Sequence, residues 1–227
     1  VCNHPIYSEF WSTVDLSTRY HLIDLPMYHI AGWYDIFVEG QLETFSALNN
    51  ICGNQKMLIA PWGHSSQFGT NIQGDLVYPD NASMAIDDLL LDAINFYHYW
   101  LRGIDTGIMD EYPVKYYLTG DCDTDDTSIF NRWKYSDSWP PEGQYYTKLY
   151  LHPENLLSVH PPTTDDYISY IFDPYNPCPT IGGREFFGLG DAGYGPKDQR
   201  IVESRTDVIT FSSDILAEPV SVIGKVK

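Results

Sequence analysis

Two hydrophobic runs, Met27–Tyr28–His29–Ile30–Ala31 and Met57–Leu58–Ile59–Ala60, flank a stretch where Val38, Leu42, Phe45 and Leu48 recur at helical spacing. The first run breaks at Gly32 and the second at Pro61, so the pattern predicts strand, helix, strand. Short connections imply a right-handed crossover and parallel pairing. Residues 1–25 are polar and aromatic, and predict a loop and a short helix leading to Pro26 at the strand entry. Residues 65–83, rich in Gly, Asn, Ser and Asp, predict a loop across the rim of that sheet. An amphipathic helix follows over 85–102, with Leu89, Ala93, Phe96, Tyr97, Trp100 and Leu101 placed on one face; Arg102–Gly103 stops it.

The pattern changes at about 110–113. Beyond it come short strand-like runs at 114–120, 146–152, 166–172, 207–213 and 220–227, separated by Pro- and Gly-rich turns. Such spacing predicts a β-sandwich. The fold class expected is therefore α/β followed by all-β, with residues 1–112 as one portion and 113–227 as the other. A length of 227 residues accommodates one large or two modest domains.

Composition narrows the function. The net charge of −18, with only 13 Lys and Arg and no basic stripe, argues against a nucleic-acid partner. No apolar run is long enough for a membrane span. Four cysteines lie far apart with no C-x-x-C pair, which disfavours a zinc site or a disulfide scaffold. Asp121, Asp123 and Asp125 imitate the start of an EF-hand loop, but Asp126 stands where Gly is needed and Arg132 where Glu is needed. No metal and no cofactor are expected. Asn81–Ala82–Ser83 is a glycosylation sequon too short to carry weight. His4, His21, His29 and His98 lack a surrounding constellation and read as structural.

The chemistry concentrates at the two strand ends. Parallel sheets place ligands just beyond the carboxyl ends of their strands. Asp35 follows the first strand and His64 the second, so they share one rim, as the orienter and base of a Ser-His-Asp triad do. Trp33, Tyr34 and Trp62 flank them, as pocket walls for substrate or as buried support beneath the rim. No Ser stands in a G-x-S-x-G elbow, and hydrolases of this fold order their triad Ser, Asp, His. The nucleophile is therefore expected upstream of Val1, with the chain incomplete at both ends.

GWYD at 32–35, followed by PWGHS at 61–65, resembles the CocE/NonD group, the S15 peptidase family of serine hydrolases. Further agreement runs through His4–Pro5, Phe10–Trp11, NFYHYWLRG (95–103), SDSWPPEG (136–143), FDP (172–174), PTIGG (179–183) and the run at 198–213. The resemblance implies triad roles for Asp35 and His64 and a jelly-roll-like second domain. It also implies cleavage of N-terminal peptide bonds, as in aminopeptidases and Xaa-Pro dipeptidyl-peptidases, or of α-amino-acid esters and amides, with a small-acyl esterase or acylase of the same family as the alternative. An ammonium-bearing substrate needs a carboxylate, for which Glu39, Glu43 and Asp75 are the candidates. The partners expected are such a substrate and a Ser-bearing upstream segment, with a homo-oligomer left open. A second class is a jelly-roll binding module without catalysis, using Trp133, Trp139 and Tyr145–Tyr146 as aromatic platforms.

Overall fold

The continuous apolar run at 57–60 marks a strand covered on both faces, and it forms the middle of the fold. The computed structural model describes residues 3–64, 69–120, 129–184, 186, 193–224 and 226. Ser65, Ser66 and the acidic run at 121–128 lie outside the described residues. A short α1 (Glu9–Ser12) and a 3₁₀ segment (Ser17–Leu22) precede β1 (Met27–Tyr34). Then come α2 (Val38–Ile51), β2 (Gln55–Gly63), a small ladder of β3 (Ile72–Gln73) with β4 (Leu76–Val77), and α3 (Ile86–Arg102). The strands β5 (Val114–Leu118) and β6 (Arg132–Ser136) are followed by a second small ladder, β7 (Tyr150–Leu151) with β8 (Leu157–Ser158), and by α4 (Arg200–Glu203).

The main sheet runs β1-β2-β5-β6; β1, β2 and β5 are parallel and β6 is antiparallel. Every residue of β2 is buried, and its side chains alternate between two cores. Met57 and Ile59 pack with Val38 and Phe45 of α2, while Leu58, Ala60 and Trp62 pack with Leu89 of α3. Each helix therefore covers one face. His29 is buried between Gln41 and Gln55, at 3.3 and 3.0 Å, and edge-on to Phe45. Its polar nitrogens are satisfied inside the core.

Three features depart from the sequence pattern. Val114–Leu118 does not open a separate sheet: it pairs with β2 and carries the first sheet past residue 113. On α3 only Leu89 and Phe96 are buried, whereas Tyr97 and Leu101 are 56% and 77% exposed. Positions 97 and 101 sit about 100° round the helix from 96 and 100, so they belong to a neighbouring stripe. Gly103, with φ 64°, ends the helix as expected. Finally, among the described residues, 166–172 and 220–224 carry no ladder, and the run at 207–213 contributes only a bridge from Ser212 to Leu156. β-Branched and aromatic content marks a segment as fit for a strand, but a ladder also needs an edge to pair with.

Candidate active site

Asp35 and His64 meet because two adjacent parallel strands end beside each other with one irregularity. Gly32 pairs with Ala60 and Tyr34 with Gly63, so β2 spends one residue more than β1 over this step. Pro61 lies in that step and has no N–H to give to a ladder. The extra residue carries the chain after Gly63 level with the turn after Tyr34. Gly32 permits the close approach: a Cβ there would stand 2.2 Å from the Trp62 carbonyl oxygen.

The pair is hydrogen-bonded, His64 Nδ1 to Asp35 Oδ2, at 2.8 Å. The Asp35 side chain is 15% exposed and that of His64 33%. The other carboxylate oxygen, Oδ1, accepts the Phe37 N–H at 2.8 Å, and the Asp35 N–H donates to the Gly32 carbonyl at 3.0 Å. The carboxylate is thus fixed in front of α2, whose N-terminus favours negative charge. An ionised carboxylate only accepts, so Nδ1 carries the proton of this bond and Nε2 is the acceptor. The arrangement can orient an imidazole and stabilise it once protonated.

Two aromatic rings close around this imidazole. Phe37 lies edge-on to His64 at 5.3 Å, Phe186 stacks on it at 4.6 Å with an interplanar angle of 27°, and Phe37 meets Phe186 at 5.7 Å. Neither phenylalanine is singled out by the sequence pattern. Phe37 lies two residues beyond Asp35, but Phe186 reaches the site from the far part of the chain, where no local periodicity points to it.

The flanking residues divide. Trp62 is buried and donates to the Ala82 carbonyl, supporting the rim from beneath. Trp33 donates to the Tyr117 carbonyl and packs against Trp139. The Tyr34 hydroxyl bonds that of Tyr78 at 2.9 Å. Of the three candidate ammonium receptors, Glu39 is ion-paired with Arg184 and Asp75 with Lys197, each at 2.7 Å, while Glu43 is exposed on α2. The platforms imagined for a binding module do not form one surface. Trp139 is buried in the α2 core, Trp133 packs on Tyr117 and donates to the Asn81 carbonyl, and only Tyr145 and Tyr146 are well exposed. A cleft of about 400 Å³ lined by Pro26, Phe96, Tyr97 and Trp100 opens where β1 begins, at the end of the strand remote from Asp35.

Described residues on either side of Phe186 are anchored. Gly183 and Gly195 exchange backbone hydrogen bonds at 2.8 Å. Tyr194 packs so tightly on Gly63 that a Cβ there would come within 2.7 Å of its ring. Lys197 and the Asp198 N–H bond the Asp75 carboxylate, and the Asp75 N–H donates to the Pro196 carbonyl. The Lys197 hydrogen bond holds the Asp75 carboxyl below its ordinary range against the opposing effect of desolvation, and the Asp198 N–H helps. A depressed folded value means that this anchor contributes fully above the ordinary carboxylate value near ~4 and is lost as the pH falls through the folded one. Amide exchange at Asp75, corrected for intrinsic rates, is expected to lose protection as the pH is lowered from about 5 towards 3. Unchanged protection over that interval would show that the ion pair does not hold the segment.

Residues 1–66 match the X-Pro dipeptidyl-peptidase of the S15 family, and residues 106–227 match the X-Pro dipeptidyl-peptidase C-terminal non-catalytic domain. The chain belongs to this family of serine hydrolases, which includes the CocE/NonD esterases. It is similar to the cocaine esterase of Rhodococcus sp. (strain MB1 Bresler), with 29% identity over the whole of this chain and 38% of that protein. In fold it is similar to the crystal structure of an aminopeptidase from a marine sediment archaeon, Thaumarchaeota archaeon. That match has a TM-score of 0.74 and 23% identity, and covers 95% of this chain and 35% of that one. The chain therefore spans less than two fifths of the length of either relative.

Proposed function

We propose that this chain supplies the acid and base of a Ser-His-Asp triad in a serine hydrolase that cleaves ester or peptide bonds. The observation that carries the reading is the 2.8 Å bond between His64 Nδ1 and Asp35 Oδ2 at adjacent parallel strand ends. His64 Nε2 takes the proton of a serine hydroxyl as that oxygen attacks the acyl carbon, then returns it to the leaving group. Asp35 keeps the imidazole in the tautomer that can do this, and stabilises the imidazolium. The serine belongs to a segment preceding Asp35, as the Ser, Asp, His order of such hydrolases requires. Phe37 and Phe186 give the region beside the imidazole an apolar lining, which suits a small acyl or apolar side chain beside the scissile bond. The involvement of Glu39 and Asp75 in ion pairs weakens the case for either as a receptor for a free ammonium, so we favour ester or amide cleavage of small acyl compounds over an aminopeptidase. For residues 113–227 we retain the jelly-roll-like reading, supported by the match to the C-terminal non-catalytic domain.

The test is fluorophosphonate labelling of the complete enzyme, read by mass after digestion. One label on a serine of the segment that precedes Val1 is expected, and its appearance should slow greatly in a His64→Gln variant. Label on a serine within residues 1–227 would overturn the placement of the nucleophile. Absence of label would overturn the hydrolase reading itself.

A further inference from the structure

The aromatic contact on His64 comes from a residue 122 positions away in sequence, and an ion pair stands next to it. Phe186 stacks on the imidazole at 4.6 Å, and two residues before it Arg184 Nη1 bonds Glu39 Oε1 at 2.7 Å. Glu39 lies in the first turn of α2, directly after the turn formed by Asp35 and Phe37. The pair therefore ties Arg184, two residues before Phe186, to the same helix start that fixes the carboxylate. In addition, Gly183 pairs with Gly195, and Tyr194 packs on Gly63 beside His64. Asp35, His64, Phe37 and Phe186 are thereby referred to one frame.

The geometry points to Arg184 as a positioning residue for the reaction. Through its ion pair with Glu39 it seats Phe186 on His64, and the seated ring holds the imidazole against rotation about its side-chain bonds. A near-parallel ring at this distance also attracts the imidazolium that His64 becomes when it takes the serine proton. That attraction exists only in the charged state, so it acts on kcat rather than on substrate affinity. Both partners of the latch are substantially exposed, at 46% and 57% of their side-chain surface, so the contact is tunable and weakened by salt. The second part of the chain thus takes part in proton transfer without donating or accepting a proton. The inference rests on the proton-relay role proposed for His64.

Hydrolysis of p-nitrophenyl acetate by the complete enzyme tests it, in wild type and in R184E, R184K, F186A, R184E/F186A and the charge-swapped R184E/E39R variants. R184E is expected to lower kcat about five-fold with KM nearly unchanged, the most an exposed ion pair of this kind can supply. R184K, which keeps the charge, should stay within about two-fold of wild type. F186A is expected to lower kcat about ten-fold or more. Because Arg184 acts through Phe186, R184E/F186A should be no slower than F186A alone. The charge-swapped variant should recover most of the loss, although an arginine in the first turn of α2 opposes the helix dipole. A purely structural role would instead lower the unfolding midpoint, move KM with kcat, and leave the two losses additive.

The outcomes separate the two readings. If wild type hydrolyses the ester and H64Q does not, but R184E matches wild type or its loss adds fully to that of F186A, the positioning role is overturned and the triad reading stands. If H64Q is as active as wild type, both fall.

Discussion

Replacing Asp35 by Asn in the complete enzyme is expected to lower kcat about ten-thousand-fold while KM changes little. The size follows from which oxygen is already committed. Oδ1 accepts the Phe37 N–H at 2.8 Å, so an asparagine there keeps its carbonyl at that position and turns its amide towards His64. The amide then donates to Nδ1, which makes Nδ1 the acceptor and forces the proton onto Nε2. An Nε2 that already carries a proton cannot take one from serine. The fold should survive the exchange, because shape and the Phe37 bond are both retained. Steady-state hydrolysis of p-nitrophenyl acetate, with circular dichroism to verify folding, measures this directly. A loss of less than about ten-fold in a folded variant would mean that Asp35 is not the group that orients the base.

Gly32→Ala is expected to destabilise the protein by about 3 kcal/mol or more, or to prevent its accumulation as folded material. The added Cβ would stand 2.2 Å from the Trp62 carbonyl oxygen and 2.9 Å from its carbon. That neighbour is main chain in a strand with every residue buried, so it cannot move aside as a surface side chain would. The same step contains the register shift that brings Asp35 level with His64, so any variant that folds should also lose the hydrogen bond between them. Gly40→Ala is the control. It lies in α2 with nothing within 4 Å of a built Cβ, and should be neutral or stabilising by up to ~1 kcal/mol. Urea unfolding of the two variants beside wild type gives the comparison. Equal midpoints would show that the β1–β2 approach is looser than 2.2 Å implies.

Much of the first half was legible because its signals are local. The 3.6-residue spacing of Val38, Leu42, Phe45 and Leu48 is a helix covering one face of a sheet, and α2 buries Val38, Phe45 and Leu48. The apolar run at 57–60 is a strand covered on both faces, as β2 is. The second half was less legible. Residues 166–172 are rich in β-branched and aromatic residues between turn signals, as a strand would be, yet Tyr167 and Ile171 are 84% and 88% exposed and among the described residues they have no ladder. Such composition records that a segment is fit for a strand, but not whether an edge is there to pair with. Val114–Leu118 makes the complementary point: its own sequence is equally compatible with a new sheet, and its position beside β2 is a long-range fact.

By itself the sequence determined that Asp35 and His64 stand at the ends of two neighbouring strands, because strand, helix and strand with short connections leave little topological freedom. It also determined the family, through motifs spread along the chain. Only the tertiary structure decided how the pair is held and what surrounds it. The one-residue irregularity opposite Gly32, the placing of Trp62 beneath the rim, and the stacking of Phe186 on His64 each depend on atoms distant in sequence meeting within a few ångströms. Periodicity reports the face on which a side chain lies; it carries no information about which remote segment comes to rest against that face.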